Sequence, residues 1–390
     1  MDHLRDHPNV EPLPLANTIP SLSTLEDVRW FRQDSWQWDA VHQGRCTTSQ
    51  AVAALGFLEP KAGTQLNIPR SWQRGGGGAF FRLSQPALRT LSELNSVLCS
   101  EYNENDDEQS TDNDTVKQAT KRWIQPKRAF PFAAKYTVTI SEADTQQKRE
   151  RATKYSNSSR FDSSVRMMWG NAQEATALLT ALNYFWKHDK EVILKEVGMC
   201  GAGLELNATS TTHGLLVGAS PDGLLCYPDG RVEVLEVKNH CPFFTQSKRQ
   251  PRNKRFFTRN FVFDNHNHLL PPHYIPQLMM EMLCVGTDCQ SAIMVRQTAT
   301  SGALIIRVHR DNAWIQEMLY WLQCFHDEFV EPQLIPPEDF FFSNPRYQQF
   351  LNQTQQLESN RVEVVARIPH SEIQRAMSED KSKGCSLFLD

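Results

Sequence analysis

The stretch that most constrains the fold of this chain is a predicted β-hairpin over residues 217–243. One extended segment ends in Ser-Pro-Asp-Gly at 220–223, a Pro-Asp-Gly turn follows, and a second extended segment ends in Glu236-Val-Lys238. Asp-Gly turns join antiparallel strands, and the two-residue period of a strand puts Glu236 and Lys238 on one face. The hairpin therefore brings Asp222 back beside Glu236.

Two carboxylates and one ammonium that converge on a point suit a particular chemistry. Carboxylate oxygens are the ligands that Mg²⁺ selects, and one or two of them leave room for water and a substrate phosphate. The ammonium of Lys238 can orient an attacking water, help to deprotonate it, or neutralise charge that develops on phosphorus. The spacing of Asp222, Glu236 and Lys238 thus predicts metal-assisted hydrolysis of a phosphodiester. Taken alone, the Glu-Val-Lys triplet is also typical of a solvated strand face.

A helix before the hairpin offers a further carboxylate. Apolar residues from Met168 to Trp186 recur at alternating spacings of four and three, which predicts an amphipathic helix over 167–186. Glu174 lies one step off this apolar stripe, where it is either a boundary residue or directed into a cleft. Two strands are predicted between this helix and the hairpin, over 191–198 and 213–219.

A second helix is predicted after the hairpin. Residues 272–285 have the apolar pattern of a buried helix, and they place Gln277 and Glu281 on one flank. The elements predicted after it are two strands and an amphipathic helix, over 291–298, 303–309 and 311–330.

Two further segments are candidates for contact with phosphate. Ser49 is predicted to cap a short alanine-rich helix, so that Thr47 and Ser49 form either a phosphate site or a plain helix cap. Residues 247–260 carry six Lys/Arg, no acidic residue and two phenylalanines, which favours either a DNA-tracking loop or a solvated or nuclear-localisation segment. The predicted DNA contacts of this segment are Lys248, Arg249, Arg252, Lys254 and Arg255.

The composition is that of an ordinary soluble domain, with 40% hydrophobic and 22% charged residues. Because the net charge is −4, any DNA-binding surface must be a local basic patch. The nine cysteines form no Cys-X-X-Cys pair, which favours reduced thiols inside a cell. No apolar run reaches about 18 residues, and the N-terminus lacks the pattern of a targeting signal. We therefore expect a soluble intracellular protein, in the nucleus or the cytoplasm.

Changes in composition divide the chain into segments. Residues 74–78 (Arg-Gly-Gly-Gly-Gly) are predicted to be irregular. Residues 101–115 hold seven acidic residues and no basic one, which predicts disorder. The expected segments are an extended N-terminal arm at 1–25, an N-terminal helical part at 26–60, an insertion at 61–160, a core at 161–335 and a C-terminal extension at 336–390.

Five short motifs occur in an order that resembles the YqaJ-type viral recombinase and lambda-exonuclease group of the PD-(D/E)xK nuclease superfamily. They are Trp38 through Gly44-x-x-Thr47-x-Ser49, Trp169-Gly170 followed by Glu174, Ser-Pro-Asp-Gly-Leu at 220–224, Leu-Glu-Val-Lys at 235–238, and Tyr274-x-x-Gln277. The resemblance covers about residues 34–56 and 165–330. It departs from the group at His42, where an arginine is usual and where Arg45 would have to replace it.

The resemblance implies a restriction-endonuclease-like α/β core, that is, a mixed central sheet flanked by helices, with a long, partly disordered insertion. It implies Mg²⁺, or Mn²⁺ in its place, held by Asp222, Glu236 and the main-chain carbonyl of Val237. Glu174 would serve a second ion or its water. Lys238 would position the nucleophilic water.

The implied activity is 5′→3′ exonuclease action on double-stranded DNA ends, in recombination or repair. Gln277 would orient the water or the catalytic lysine, and Arg45, Thr47 and Ser49 would hold a phosphate at the strand end. The implied partners are a single-strand annealing or recombinase protein and a ring of further copies of the chain. One alternative is a catalytically inactive DNA-binding or recombination module with the same fold. Another is an iron–sulfur nuclease, which needs four ligating cysteines.

Overall fold

The computed structural model describes residues 2–15, 18–19, 21–70, 72–73, 75–98, 166–206, 213–245, 256–258, 269–299 and 301–373. Its strands are β1 Val10–Glu11, β2 Ile193–Lys195, β3 Glu205–Leu206, β4 Leu215–Leu216, β5 Gly223–Cys226, β6 Val232–His240, β7 Phe243–Thr245, β8 Phe256–Thr258, β9 Ser291–Thr298, β10 Gly302–His309 and β11 Val362–Ile368. Seven of them form one sheet in the order β1-β2-β5-β6-β9-β10-β11, while β3–β4 and β7–β8 are separate ribbons. In the large sheet, β1–β2 and β6–β9 pair in parallel and the other neighbours are antiparallel.

Helices cover both faces of this mixed sheet. The α-helices of the described residues are Asp2–Arg5, Trp36–His42, Thr48–Ala54, Pro60–Gln65, Gly77–Leu83, Leu91–Leu98, 166–188 (the Glu174 helix), Ile275–Val285 (the Gln277 helix), Asn312–Phe325, Pro345–Arg361 and the helical turn 370–373. Short 3-10 turns span Leu25–Trp30 and Pro272–Tyr274, and a π-helical turn spans His326–Val330. The predicted fold class, a mixed central sheet flanked by helices, is confirmed.

The predicted hairpin lies at the centre of the sheet. Gly223 of β5 is opposite Leu235 of β6, and the turn between the strands has Gly230 at φ +86°, where a residue with a side chain is strained. Since β5 begins at Gly223, the second half of β6 extends past the end of its neighbour. Asp222, the residue before β5, therefore faces the part of β6 that starts at Glu236.

The two faces of β6 belong to two different cores. Val234 packs in a large core with the Gln277 helix and the Asn312–Phe325 helix. Its neighbours Leu235 and Val237 point to the opposite face, where they pack beneath the Glu174 helix. This alternation directs Glu236 and Lys238 to the same side as Val234.

The buried face of the Glu174 helix differs from the face that its apolar pattern predicts. The buried residues are Ala177, Leu178, Ala181, Leu182 and Phe185, which cover the sheet. Met168 is 71% exposed and Trp186 is 38% exposed, so the predicted apolar stripe between them is wrong at both ends. The apolar residues of this helix cover a wide arc, and packing on the sheet selects one part of that arc.

Both ends of the described chain add strands to the sheet. The predicted extended arm forms β1 at one edge, beside β2, and Arg5 binds Glu196 with a separation of 2.6 Å. At the other edge, β11 pairs with β10. The sheet therefore continues beyond the expected core boundary at residue 335, because the C-terminal segment provides its last strand.

The expected insertion contributes to the main core as far as it is described. Leu66 is buried after the Pro60–Gln65 helix, and Phe80 is buried in the Gly77–Leu83 helix. The prediction of irregular structure at 74–78 is thus wrong for the last two glycines, which begin that helix. Residues 101–115 lie outside the described part. Within the described residues, every helix is too short or too polar to span a membrane.

Candidate active site

The centre of the candidate site is built by the end of the hairpin. The regular β5–β6 pairing ends at Gly223–Leu235, and the carboxylate of Asp222 then accepts a hydrogen bond from the backbone N–H of Val237 at 2.7 Å. On β6, the ammonium of Lys238 donates to Oε1 of Glu236. The side chain of Glu236 is 3% exposed and that of Lys238 is 24% exposed. Asp222, Glu236 and Lys238 are therefore neighbours, as their spacing in the sequence predicts.

The Gln277 helix closes one side of this centre. Nε2 of Gln277 donates to Oε1 of Glu236 at 2.5 Å and to Oε1 of Glu281 at 2.8 Å. Both hydrogens of the amide group are thereby used by two carboxyl groups, which fixes the orientation of the amide. Glu281 is completely buried. It is one helical turn beyond Gln277, and the i, i+4 spacing was the sequence signal that could have assigned it to the site.

Glu174 approaches the centre from the opposite face. Its helix is tied to β6 by Nδ2 of Asn239, which donates to the carbonyl of Gly170 at 3.3 Å. Thr180, further along the same helix, donates to Oε1 of Gln297 on β9 at 3.1 Å. These contacts hold Glu174 close enough to Glu236 for the charge of Glu236 to act on the Glu174 carboxyl group.

The electrostatics of the site are dominated by crowded carboxyl groups. Burial, and next the charge of Glu236, raises the pKa of Asp222 well above its usual range. The same two causes raise the pKa of Glu174 and that of Glu281. Burial acts to lower the pKa of Lys238, but the carboxylates of Glu236 and Asp222 outweigh it and raise that pKa. One ammonium thus faces four carboxyl groups, an imbalance that a divalent cation would relieve.

The donor set fits a hard divalent cation. Oε2 of Glu236 is buried and has no hydrogen-bond partner among the described residues. Buried carboxylate oxygens without a partner are costly unless a ligand binds them. The atoms that these acidic side chains can offer to a metal ion are all oxygens, which suit Mg²⁺ or Mn²⁺ better than a thiolate-preferring metal.

The Trp36–His42 helix and the residues just before it hold the hairpin from outside. Nε1 of Trp38 donates to Oγ of Ser220 at 2.9 Å, and Nε2 of Gln33 donates to the carbonyl of Pro221 at 2.7 Å. These bonds fix the two residues that precede Asp222. The segment around Gln33 and Trp38 is thus part of the support of the site.

His42 does not supply the cation that is usual at its position in the resembled group. Its ring lies 3.7 Å from that of Trp38, and its Nδ1 donates to the carbonyl of the same tryptophan at 2.7 Å. Burial lowers the pKa of His42 to about 4, so the imidazole is neutral at neutral pH. Arg82, which no sequence motif includes, is exposed and near enough for its charge to act on His42.

Arg45 has a structural position that contradicts its predicted contact with phosphate. It is 1% exposed, and its guanidinium donates to the carbonyl of Ala202 at 2.7 Å and to that of Leu88 at 2.9 Å. A cation enclosed in this way ties three chain segments together and is not presented to a ligand. The physical reason is that the chain folds over this residue from both sides.

The Thr47–Ser49 corner is at a helix N-terminus, but its capping residue differs from the prediction. The helix is Thr48–Ala54, and its N-cap is Thr47, whereas Ser49 lies in the first turn. The hydroxyls of Thr47 and Ser49 both donate to Oε1 of Gln50, the latter at 2.9 Å. Their phosphate contact stays a prediction. The predicted DNA contacts of the basic segment, Lys248, Arg249, Arg252, Lys254 and Arg255, lie outside the described residues.

Comparisons with known proteins give a distant likeness. No family model matches the chain, and no curated protein matches it. Two solved structures are similar: an alkaline exonuclease (LHK-Exo) from Laribacter hongkongensis, and LHK-Exo in complex with dAMP. Each solved chain is 14% identical in sequence to this one, and the match covers 81% of this chain and 99% of the solved chain. The TM-scores are 0.34 and 0.33. The interpretation of the site therefore rests on its own geometry.

Proposed function

We propose that this chain is a Mg²⁺-dependent deoxyribonuclease that hydrolyses phosphodiester bonds at the ends of duplex DNA. The observation that carries the proposal is the Glu236–Lys238 pair beside Asp222, with Glu174 near enough for the charge of Glu236 to act on it and with Oε2 of Glu236 buried and unpartnered among the described residues. The 5′→3′ direction and a role in recombination or repair are what the resemblance of the sequence motifs to the YqaJ-type and lambda-exonuclease group implies.

The carboxylates of Asp222 and Glu236 and the carbonyl of Val237 are the groups that would hold the ion. Glu174 would serve a second ion or its water. When bound, Mg²⁺ lowers the pKa of a coordinated water and neutralises charge on the scissile phosphate. Mn²⁺ is expected to substitute, because it also accepts oxygen ligands.

Lys238 acts as a donor in this proposal. Since its pKa is raised by Glu236 and Asp222, the side chain remains an ammonium at neutral pH. It can therefore orient the attacking water and stabilise negative charge on the phosphate, but it is a poor acceptor for a proton. Of the roles that the sequence allowed for this lysine, deprotonation of the water is the one that its surroundings disfavour.

Gln277 has a positioning role. Its amide group binds Glu236 and Glu281 together, so it sets the direction in which the free oxygen of Glu236 points. Loss of this amide would leave two buried carboxyl groups without their shared donor. We expect the rate of the chemical step to suffer more than the affinity for DNA.

The direct test is cleavage of matched DNA substrates by purified protein with Mg²⁺. A linear duplex labelled separately at each 5′ and 3′ end is compared with the same sequence as a covalently closed circle. The proposal predicts that the linear duplex is degraded from its 5′ ends, that EDTA stops the reaction, and that the circle persists. Absence of Mg²⁺-dependent cleavage on both substrates, with DNA binding intact, would instead favour the catalytically inactive module.

A further inference from the structure

A loop beside the site carries an exposed tryptophan whose backbone is hydrogen-bonded. Trp72 lies in a turn, where its N–H donates to the carbonyl of Pro69 at 2.8 Å. The next residue, Gln73, donates through Nε2 to the carbonyl of Ile68 at 2.9 Å. Past it, the N–H of Gly76 donates to a carboxylate oxygen of a buried glutamate at 2.6 Å. The backbone is anchored on both sides of the indole, while 37% of the surface of Trp72 is exposed.

From this tryptophan, a row of rings leads to the catalytic centre. The ring centroids of Trp72 and His273 are 4.7 Å apart, with the planes inclined by 63°. The rings of His273 and Tyr274 are 4.1 Å apart, and the ammonium of Lys238 lies 5.5 Å from the centroid of Tyr274. The row therefore runs from solvent to the lysine of the candidate active site in three steps, each shorter than 6 Å.

The middle of the row is uncharged and retains an unused polar atom. Burial lowers the pKa of His273 to about 4, so this imidazole is neutral at neutral pH. Its Nε2 is buried and has no hydrogen-bond partner among the described residues. An uncharged aromatic surface with an exposed indole suits a nucleobase, which offers a π-face for stacking. It does not suit a phosphate, which requires positive charge or several N–H donors.

We propose that Trp72 and His273 form a stacking subsite for an unpaired base of the DNA strand that is held at the active site. This inference rests on the proposed function and extends it to the mode of substrate binding. Taking about 3.4 Å per nucleotide along a stacked strand, the subsite lies within roughly four nucleotides of Lys238. The nearby exposed Arg70 adds positive charge for the backbone of the same strand.

The test uses 2-aminopurine, a fluorescent base that is quenched by stacking. Duplexes with a short single-stranded end carry the probe at each of the first four positions in turn, and binding is measured in EDTA so that no cleavage is required. The proposal predicts strong quenching at one of these positions. Trp72→Ala should abolish that quenching and weaken binding roughly 5- to 150-fold, whereas Trp72→Phe should retain most of both.

Trp186 provides a matched control. It is 38% exposed, lies near the far end of the Glu174 helix, and contacts the ammonium of Lys190 at 3.3 Å from its ring centroid. Trp186→Ala should bind and quench like the wild type. Circular dichroism and thermal unfolding of both alanine variants show whether each is folded, and His273→Leu offers a second route to the same loss of quenching.

Several results would overturn the inference: unchanged quenching and affinity in Trp72→Ala, an equal loss in Trp186→Ala, or no DNA binding by the wild type at any probe position. These outcomes are separate from the test of the nuclease. If the DNA is not cleaved with Mg²⁺ but the quenching depends on Trp72, the stacking subsite stands and the proposed activity fails. If the DNA is cleaved and Trp72 has no effect on quenching, the subsite alone fails.

Discussion

Replacing Lys238 by alanine should both stop cleavage and unbalance the charges of the folded protein. Its ammonium binds Glu236, whose side chain is 3% exposed, and it faces the carboxyl groups of Asp222, Glu174 and Glu281. Without it, these groups keep their mutual repulsion and lose their nearest positive charge. The folded state of Lys238→Ala should therefore be less stable against unfolding in EDTA than that of the wild type, although the fold is the same.

The size of this loss in the free energy of unfolding follows from the solvent exposure of the Lys238–Glu236 pair. Removing one partner of a buried ion pair costs about 3–5 kcal/mol. Because 24% of the Lys238 side chain is in contact with solvent, we expect the lower end of this range, about 3 kcal/mol. For a chain of this size, that corresponds to a fall in Tm of roughly 5 °C.

The assay is thermal unfolding in EDTA and again in millimolar Mg²⁺. An ion that binds the folded state raises its stability in proportion to the logarithm of its concentration, so Mg²⁺ should recover part of the loss in Lys238→Ala. Binding to duplex DNA should persist in this variant while cleavage is lost.

A lysine outside the site serves as the control. Lys195 is also on the central sheet and binds Glu11 at 2.9 Å, but its side chain is 42% exposed. Lys195→Ala should cost less than about 1 kcal/mol and should not change the response to Mg²⁺. If Lys238→Ala unfolds in EDTA at the same temperature as Lys195→Ala, or cleaves DNA at the wild-type rate, the assigned role of Lys238 is refuted.

Two further predictions concern carboxyl groups that the sequence motifs do not include. Burial and the charge of Glu236 favour the neutral form of Glu281, so Glu281→Gln should keep near-wild-type kcat. In Glu281→Leu, the kcat should fall about tenfold, because the amide of Gln277 loses its second acceptor. Equal kcat values for the two variants would contradict this role. At the other end of β6, burial acts to raise the pKa of Glu233, but hydrogen bonds from Arg307 and two hydroxyls outweigh it and lower that pKa. The resulting stability is present above the unfolded pKa of about 4.3 and is lost as the pH falls through the lower folded value. Urea unfolding between pH 6 and pH 3 should show this loss in the wild type, and a smaller loss in Arg307→Gln; identical slopes would rule out the contribution of this pair.

The centre of the fold was predictable because local signals agree there. The turn at Gly230, the alternation along β6 and the spacing from Asp222 to Lys238 all point to one hairpin, and the hairpin is present at the middle of the sheet. The strands β9 and β10 and the two helices that flank them also have clear periods and occur close to their predicted bounds.

Other features depend on tertiary packing that a single sequence does not reveal. Arg45 has the sequence context of a phosphate ligand, but its burial depends on carbonyl groups from residues 43 and 157 positions away. The orientation of the Glu174 helix depends on which arc of apolar residues the sheet accepts. The edge strands β1 and β11 are similarly fixed by partners far away in sequence. Glu281 is the exception, since its i, i+4 relation to Gln277 is a local signal that places it beside the site.

The most direct measurement is the position of Mn²⁺ in a crystal of the protein, located by its anomalous scattering. A shared ion at the centre predicts a peak within about 2.0–2.3 Å of carboxylate oxygens of Asp222 and Glu236. Elsewhere in the described residues, His326, Asp327 and Glu331 have possible ligand atoms within 4.8 Å of one another, and this group serves as an internal reference. A peak at that group with no density between Asp222 and Glu236 would contradict the metal-dependent nuclease.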